Sequence, residues 1–402
     1  MAESDRDTQT PPQQAPLKPR KFSRWVAPVA VALAVLLAFV MLQQSRDYVP
    51  LPLPPDPAQL RAYPRVPTGW AAKAPMPLYV NAGRVSRGLS IPETGAFVHR
   101  QTDFYVNDVI PINFTRVQLQ IDDYSRCFGL GATNYYDMFL VGDNAPFSYI
   151  ELIKADAERV YFRRISSGIG YSDAVYRHDP GPHDSNHVFD WATIRWNGSA
   201  WDMRLSDGTI MRFPASKYAK TAGQAAVLFI QDKAGHRLTI DRDAQGNILK
   251  IVSPNGGALT FTHDSQNRIT KGIDSYGHWI TYSYDSENRL TAVHDSEQGV
   301  TRYVYGARND ITAIFKPDGE KWVSAAYDKN NRIVRITYDG KKWWLISYTL
   351  GDRGWIEATD SLGYDGVFER MTFDAAGDPL SDQVFYVGPN APPLQTGPKA
   401  NL

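Results

Sequence analysis

Cysteine occurs once in 402 residues, as Cys127, which excludes an intramolecular disulfide framework. Set in an apolar, glycine-rich stretch, that thiol reads as a small buried hydrophobe. An excess of charge is equally missing: 43 basic and 43 acidic side chains give a formal net charge of zero. No basic stripe occurs beyond the N-terminal flank, so nucleic acid is not an expected partner. Helical periodicity is absent from residue 78 onward. There is no Gly-x-Ser-x-Gly elbow, Walker loop or dinucleotide fingerprint, and Ser167-Gly168-Ile169-Gly170 lacks nucleophile-centred spacing. Carboxylates such as Asp122 and Asp123 stand beside no identifiable acid or base. The sequence therefore reads as non-enzymatic, with no cofactor.

One long apolar run exists. From Val26 to Leu42 all seventeen residues are apolar, and at ~1.5 Å per residue they cover ~26 Å of a hydrocarbon core of ~30 Å. Trp25 extends the span to the interface. Lys18, Arg20, Lys21 and Arg24 precede it and only Arg46 closely follows, which holds the N-terminus in the cytoplasm and exports the rest. A cleaved signal peptide is the competing reading, but no small-x-small site follows the segment. The expectation is an inner (plasma) membrane anchor with the C-terminal part periplasmic or extracellular.

These features divide the chain into a disordered cytoplasmic tail (1–24), a transmembrane helix (25–42) and a linker (43–77). The linker has nine prolines between Asp47 and Pro77, which favour an extended polyproline-like spacer. Residues 78–217 alternate short Val, Ile, Phe and Tyr runs with Gly, Asp and Asn clusters, the pattern of strands and turns. Residues 218–382 repeat with a period of about 21, in about seven units, and 383–402 read as a disordered tail.

The repeat marker recurs as Asp243, Asp264, Asp285, Gly306 and Asp328. Three positions later stand Gly246, Asn267, Asn288, Asn309 and Asn331, and two further on Ile248, Ile269, Leu290, Ile311 and Ile333. Asp bonds its own backbone and Gly or Asn accepts positive φ, so each unit turns at this point. Before the turn, period-two alternation places Leu259/Phe261, Ile280/Tyr282/Tyr284, Tyr303/Tyr305 and Val323/Ala325/Tyr327 on one face of an antiparallel sheet. After it the apolar spacing is i, i+3 (Leu290 and Val293, Ile311 and Ile314), which implies a bulge. Some fourteen strands exceed what an open twisted sheet sustains, so the sheet should curl with its Tyr/Trp face inward.

The units 277–293 (GHWITYSYDSENRLTAV) and 319–336 (GEKWVSAAYDKNNRIVRI) resemble YD repeats of the RHS (rearrangement hotspot) family. The Tyr-Asp signature stands in phase at Tyr284-Asp285 and Tyr327-Asp328, and the Asp alone at Asp243 and Asp264. Upstream, residues 103–140 resemble the domain preceding such repeats, with Asp103, Phe104, Arg116, Phe128, Gly129 and Gly131 at matching points. The resemblance implies an all-β fold: a curled antiparallel sheet of hairpins forming a partial β-shell behind a β-rich domain. Long family members continue into a core cleavage motif of Asp-Pro-x-Gly-Arg type and a toxin; neither follows here, so delivery of a passenger is not expected from this chain.

Three histidines, His178, His183 and His187, lie in one Pro/Gly loop with Asp179 and Asp184. Imidazole and carboxylate suit zinc, but the segment lacks helical ligand spacing and reads first as a solvated loop. Trp279, Trp322, Trp343 and Trp344 recur near strand starts and read as packing residues ahead of sugar-stacking platforms. Arg116 and Arg126 read as structural. The expected function is a non-catalytic, membrane-anchored scaffold or binding protein of the bacterial cell envelope, its partner a protein or a glycan. The alternatives are an accessory of an RHS toxin or secretion system that binds by sheet-edge addition, and an envelope-glycan binder or metal-dependent hydrolase.

Overall fold

The computed structural model describes residues 89–143, 147–156, 159–180, 187–215, 219–351, 355–374 and 379–386. The expected tail 1–24, the helix Val26–Leu42, the linker 43–77 and residues 387–402 lie outside the described residues. Among the described residues no helix is long and apolar enough to cross a membrane.

Two sheets carry the architecture. A four-stranded antiparallel sheet has the order Ser90–Ile91, Ala96–Val106, Ile112–Leu119, Ala132–Asn134. Its centre is a long hairpin, here called the inner hairpin, formed by Ala96–Val106 and Ile112–Leu119. The second sheet runs from Phe139–Gly142 to Pro379–Tyr386 through 22 strands, and strands adjacent in sequence pair antiparallel throughout. The 22 strands follow one another in chain order, and the described residue registers all join sequence neighbours.

Two expectations are corrected. The boundary at 217/218 falls inside one sheet, because strands between Phe139 and Pro214 belong to the same ladder as the repeats, raising the strand number from fourteen to 22. Residues 383–386, assigned to a disordered tail, complete the last strand: Val384, Phe385 and Tyr386 pair with Glu369, Phe368 and Val367. Their β-branched and aromatic side chains suit a pleated surface better than a tail.

The alternation read from the repeats fixes the inward face. Leu238, Ile240, Leu259, Phe261, Ile280, Tyr282, Tyr303 and Val323 are buried in one continuous core, while intervening Thr260, Ser283 and Arg302 are exposed. The implied bulge is present. Ser283 pairs with Ala292 but Tyr284 pairs with Leu290, leaving Thr291 as the extra residue. Thr270, Thr312 and Val334 are extra in the same way. The additional residue restores the inward direction three positions after the first apolar side chain, so Leu290 and Val293, and Ile311 and Ile314, all reach the core. The bulged threonines turn their hydroxyls back: Thr270, Thr291 and Thr312 donate to the carbonyls of Thr262, Ser283 and Val304 at 3.1–3.2 Å.

Candidate functional site

The repeat turn is an Asx motif reinforced by arginine. In Asp264 one carboxylate oxygen accepts the backbone N–H groups of Gln266 and Arg268 at 2.9 and 3.0 Å, and the other accepts Arg268 Nε at 2.8 Å. Asp285 with Arg289, and Asp328 with Arg332, repeat this arrangement. Gly246, Asn267, Asn288 and Asn331 have φ between 63° and 91°, the left-handed region that Gly and Asn tolerate. Partial burial opposes ionisation of Asp264, Asp285 and Asp328, yet hydrogen bonds from Arg and backbone N–H hold all three carboxyls below the usual range.

The tyrosine of each signature reaches the preceding unit. The hydroxyls of Tyr284, Tyr305, Tyr327 and Tyr348 donate to the carbonyls of Ile269, Leu290, Ile311 and Ile333 at 2.5–2.7 Å. The arginine of the preceding turn lies over the ring, Arg268 on Tyr284 at 4.2 Å, Arg289 on Tyr305 at 4.8 Å and Arg332 on Tyr348 at 4.6 Å. Tyr and Asp thus have separate tasks, one joining units and one making the turn. Tyr305-Gly306 keeps the first and loses the second: Asn309 is outside the left-handed set, and its Nδ2 points to the Leu130 carbonyl at 3.4 Å.

The inner hairpin packs on the aromatic face that the repeats turn inward. Phe114 lies on Phe261 at a ring separation of 4.6 Å, and Phe128 on Tyr282 at 4.8 Å. Gly272 stands at the i+3 position where other units carry Val or Ile, and a Cβ there would meet Phe104 at 2.8 Å. The missing side chain is the seat of the Phe104 ring.

At the centre is a buried ion pair. Arg116 Nε and Nη2 donate to Asp103 at 3.0 and 3.1 Å, with side chains only 1% and 2% exposed. Tyr282 donates its hydroxyl to Asp103 at 2.9 Å, and Arg116 Nη2 donates to the Tyr303 hydroxyl at 3.1 Å. Burial, the largest single influence, would lower the Arg116 pKa, but Asp103, Tyr303 and Tyr282 together outweigh it and raise it well above the usual value. Asp103 is the bulged residue of the hairpin, between the pairs Thr102–Thr115 and Phe104–Phe114, so it and Phe104 can both face inward. Nearby, His99 is buried against Tyr303 and Trp322, and among the described residues neither ring nitrogen has a hydrogen-bond partner. Burial, with Arg116 and Arg100 adding to it, drives its pKa down to about 3.

Three backbone hydrogen bonds and one from the Gln120 side chain stitch the same segment to successive turns. Ile269 N donates to Cys127 O at 2.7 Å, Leu130 N to Asn288 O at 2.6 Å, Gln120 Nε2 to Asn331 O at 2.8 Å and Ile333 N to Gly95 O at 2.8 Å. Gly129 and Gly131, singled out in the pre-repeat motif, have φ of 85° and 65°, and a Cβ would lie 2.3 Å from Asn288 O and 2.5 Å from Leu119 O. The motif residues Asp103, Phe104, Arg116, Phe128, Gly129 and Gly131 therefore converge on one junction with Tyr282, Tyr303 and the repeat turns. Arg126 instead pairs with Asp122 at 2.8 Å within its own turn.

Residues 216–356 match the Teneurin YD-shell family model. Over those residues the chain carries YD repeats. Solved structures similar to the YD-repeat chain include TcdB2-TccC3 (TM-score 0.33, 10% identity, covering 74% of this chain and 18% of that one) and TcdB2-TccC3-Cdc42 (TM-score 0.32, 9% identity, 60% and 15%). The pore form of the Photorhabdus luminescens Tc holotoxin follows at TM-score 0.25 and 8% identity, covering 72% and 21%. The YD-repeat chain spans less than a quarter of the length of each. No curated protein matches it.

The histidine loop of the YD-repeat protein is only partly described. His178 is buried with Nδ1 2.8 Å from Tyr161 O, and His187 is exposed with Nδ1 3.0 Å from Asp190; His183 lies outside the described residues. Among the described residues no group of three His, Cys, Asp or Glu side chains is placed to hold a metal ion. The repeat tryptophans pack: Trp322 against His99, Trp279 against His294, Trp344 between Tyr338 and Tyr364.

Proposed function

We propose that this protein is a non-catalytic scaffold or binding module of the bacterial cell envelope, anchored by Val26–Leu42. One observation carries the reading. The inward face of the YD sheet is covered by the chain's own hairpin, through Phe104, Phe114 and the Asp103–Arg116 pair, and by Phe128 in the segment that follows it. Those inward groups serve the fold, and binding falls to the outer face and the loops. The apolar run with its basic N-terminal flank supports the anchor and its orientation.

The test is cross-linking of the full-length protein in intact cells, with captured partners identified by mass spectrometry. Recurrent recovery of the same protein or envelope polymer supports a binding module; a chain that cross-links to nothing above a membrane-anchor control overturns it.

A further inference from the structure

The tip of the inner hairpin is clamped by one turn of the repeat sheet. That turn, 253–257, joins the strands Ile248–Val252 and Ala258–His263. Its backbone N–H groups at Asn255 and Gly257 donate to the two carboxylate oxygens of Asp108 at 3.1 and 3.0 Å, and the Ser253 hydroxyl donates to the Ile110 carbonyl. The fit is close: a Cβ on Gly257 would meet Asp108 Oδ2 at 2.8 Å and Val106 at 3.0 Å. Asp108 and Asn255 stand 147 residues apart, so this clamp ties the hairpin tip to the early repeats.

The clamp contains one of the two Asn-Gly dipeptides of the sequence, Asn255-Gly256; the other is Asn197-Gly198. In such a pair the glycine nitrogen, unhindered by a Cβ, can attack the asparagine side-chain carbonyl. Both asparagines are exposed, and Gly256 and Gly198 have φ of 93° and 103° with open space where a side chain would stand. Their carboxamides differ. Asn197 Oδ1 accepts Ser199 N, Ser199 Oγ and Ala200 N at 3.0, 3.1 and 2.9 Å, and its Nδ2 donates to Asp202 at 3.0 Å. Turning that amide toward Gly198 breaks these bonds. Among the described residues no hydrogen bond holds the Asn255 carboxamide. The Gly256 N–H is tied only to the Ser253 carbonyl, at 2.9 Å, in an exposed turn where such bonds open readily.

We propose that Asn255 is a site of spontaneous deamidation whose product releases the hairpin tip. The Gly256 nitrogen gives up its proton to hydroxide and bonds to Asn255 Cγ; the Cγ–Nδ2 bond breaks, ammonia leaves, and a five-membered succinimide remains. Water then adds to one ring carbonyl and opens the ring. Opening at the former backbone carbonyl leaves isoaspartate, with the main chain running through Cβ and Cγ; opening at Cγ leaves aspartate. Both steps are free of any oxidant or cofactor. Isoaspartate inserts one extra carbon between the two N–H groups that hold Asp108, and either product sets a new carboxylate beside the Asp108 carboxylate, where like charges repel. The clamp thus loses both its spacing and its charge match. This modification site is independent of the binding-module reading.

The test ages the full-length protein in detergent at mildly alkaline pH, digests it in acid, and follows both Asn-Gly peptides by mass spectrometry, with isoaspartate read by enzymatic carboxyl methylation. Conversion at Asn255 is expected to run at least tenfold faster than at Asn197. In the aged protein, amide hydrogen exchange at 106–110 should quicken at least threefold, while exchange in the strand Ala132–Asn134 stays as it was. Asn255→Ala, which keeps the N–H that bonds Asp108, should show neither conversion at that position nor loosening on ageing. Asn197 converting as fast as Asn255, an Asn255 that does not convert, conversion that leaves exchange at 106–110 unchanged, or equal loosening in Asn255→Ala overturns the proposal.

Discussion

The Tyr303 hydroxyl accepts a hydrogen bond from Arg116, 187 residues before it in the chain, at 3.1 Å. Through this contact a repeat strand completes the shell of a charge that the inner hairpin already pairs with Asp103, so the hairpin and repeats share one buried polar network.

Breaking that network on one side strands a charge. Asp103→Asn or Arg116→Met should cost about 3–5 kcal/mol, whereas Asp103→Leu/Arg116→Met together should cost much less than the sum. Urea unfolding followed by tryptophan fluorescence measures both; additive losses would show that the two side chains act separately.

Gly129 sits where no side chain fits. With φ at 85° and Asn288 O only 2.3 Å from where a Cβ would stand, Gly129→Ala should lose at least about 1–3 kcal/mol from backbone strain alone. Asn288→Gly, which keeps the left-handed conformation, should be far milder, and thermal unfolding of the two variants side by side tests the contrast.

His99 makes folding sensitive to acid. It is neutral in the folded protein, with a pKa of about 3 against an ordinary 6.5, so the unfolded chain binds the extra proton between those values. Its stabilising contribution is complete above pH 6.5 and declines toward pH 3, by up to about 1.4 kcal/mol per pH unit. His99→Gln should flatten the stability profile between pH 6.5 and 5; a profile unchanged by the variant would assign the acid sensitivity to other groups.

His263 occupies the signature position where four other units use tyrosine, and its Nε2 is buried without a partner. Tyr284→Phe should cost about 0.5–1.5 kcal/mol by removing the bond to Ile269 O, and His263→Tyr should gain a similar amount by reaching the Ile248 carbonyl. Differential scanning calorimetry of both variants decides whether the bond between units contributes as the repeat pattern implies.

Local features were legible from residue order. The Asp and Asn spacing gave the turn, the i, i+3 pairs Leu290/Val293 and Ile311/Ile314 gave the bulge, and the motif around Asp103 to Gly131 pointed to a specialised segment. What those motif residues touch was not legible. Nothing local to Gly272 announces that the Phe104 ring lies above it, and the structural reading of Arg116 does not tell that Tyr303 bonds it and Tyr282 bonds its partner Asp103. Contacts separated by more than a hundred residues leave no periodicity. For the same reason the strands between Phe139 and Pro214, which lack the 21-residue marker, did not announce that they extend the repeat sheet.

Individual repeats look interchangeable, but the inner segment addresses them one by one: Phe104 takes Gly272, Leu130 takes Asn288, Gln120 takes Asn331 and Gly95 takes Ile333. The addressing extends past Tyr348, because Thr359 Oγ1 donates to Pro92 O at 2.6 Å, so duplicating or deleting a whole unit anywhere between Phe261 and Thr359 would shift every later address by one place. Similar as they look in sequence, the units from Phe261 to Thr359 are thereby committed to their order.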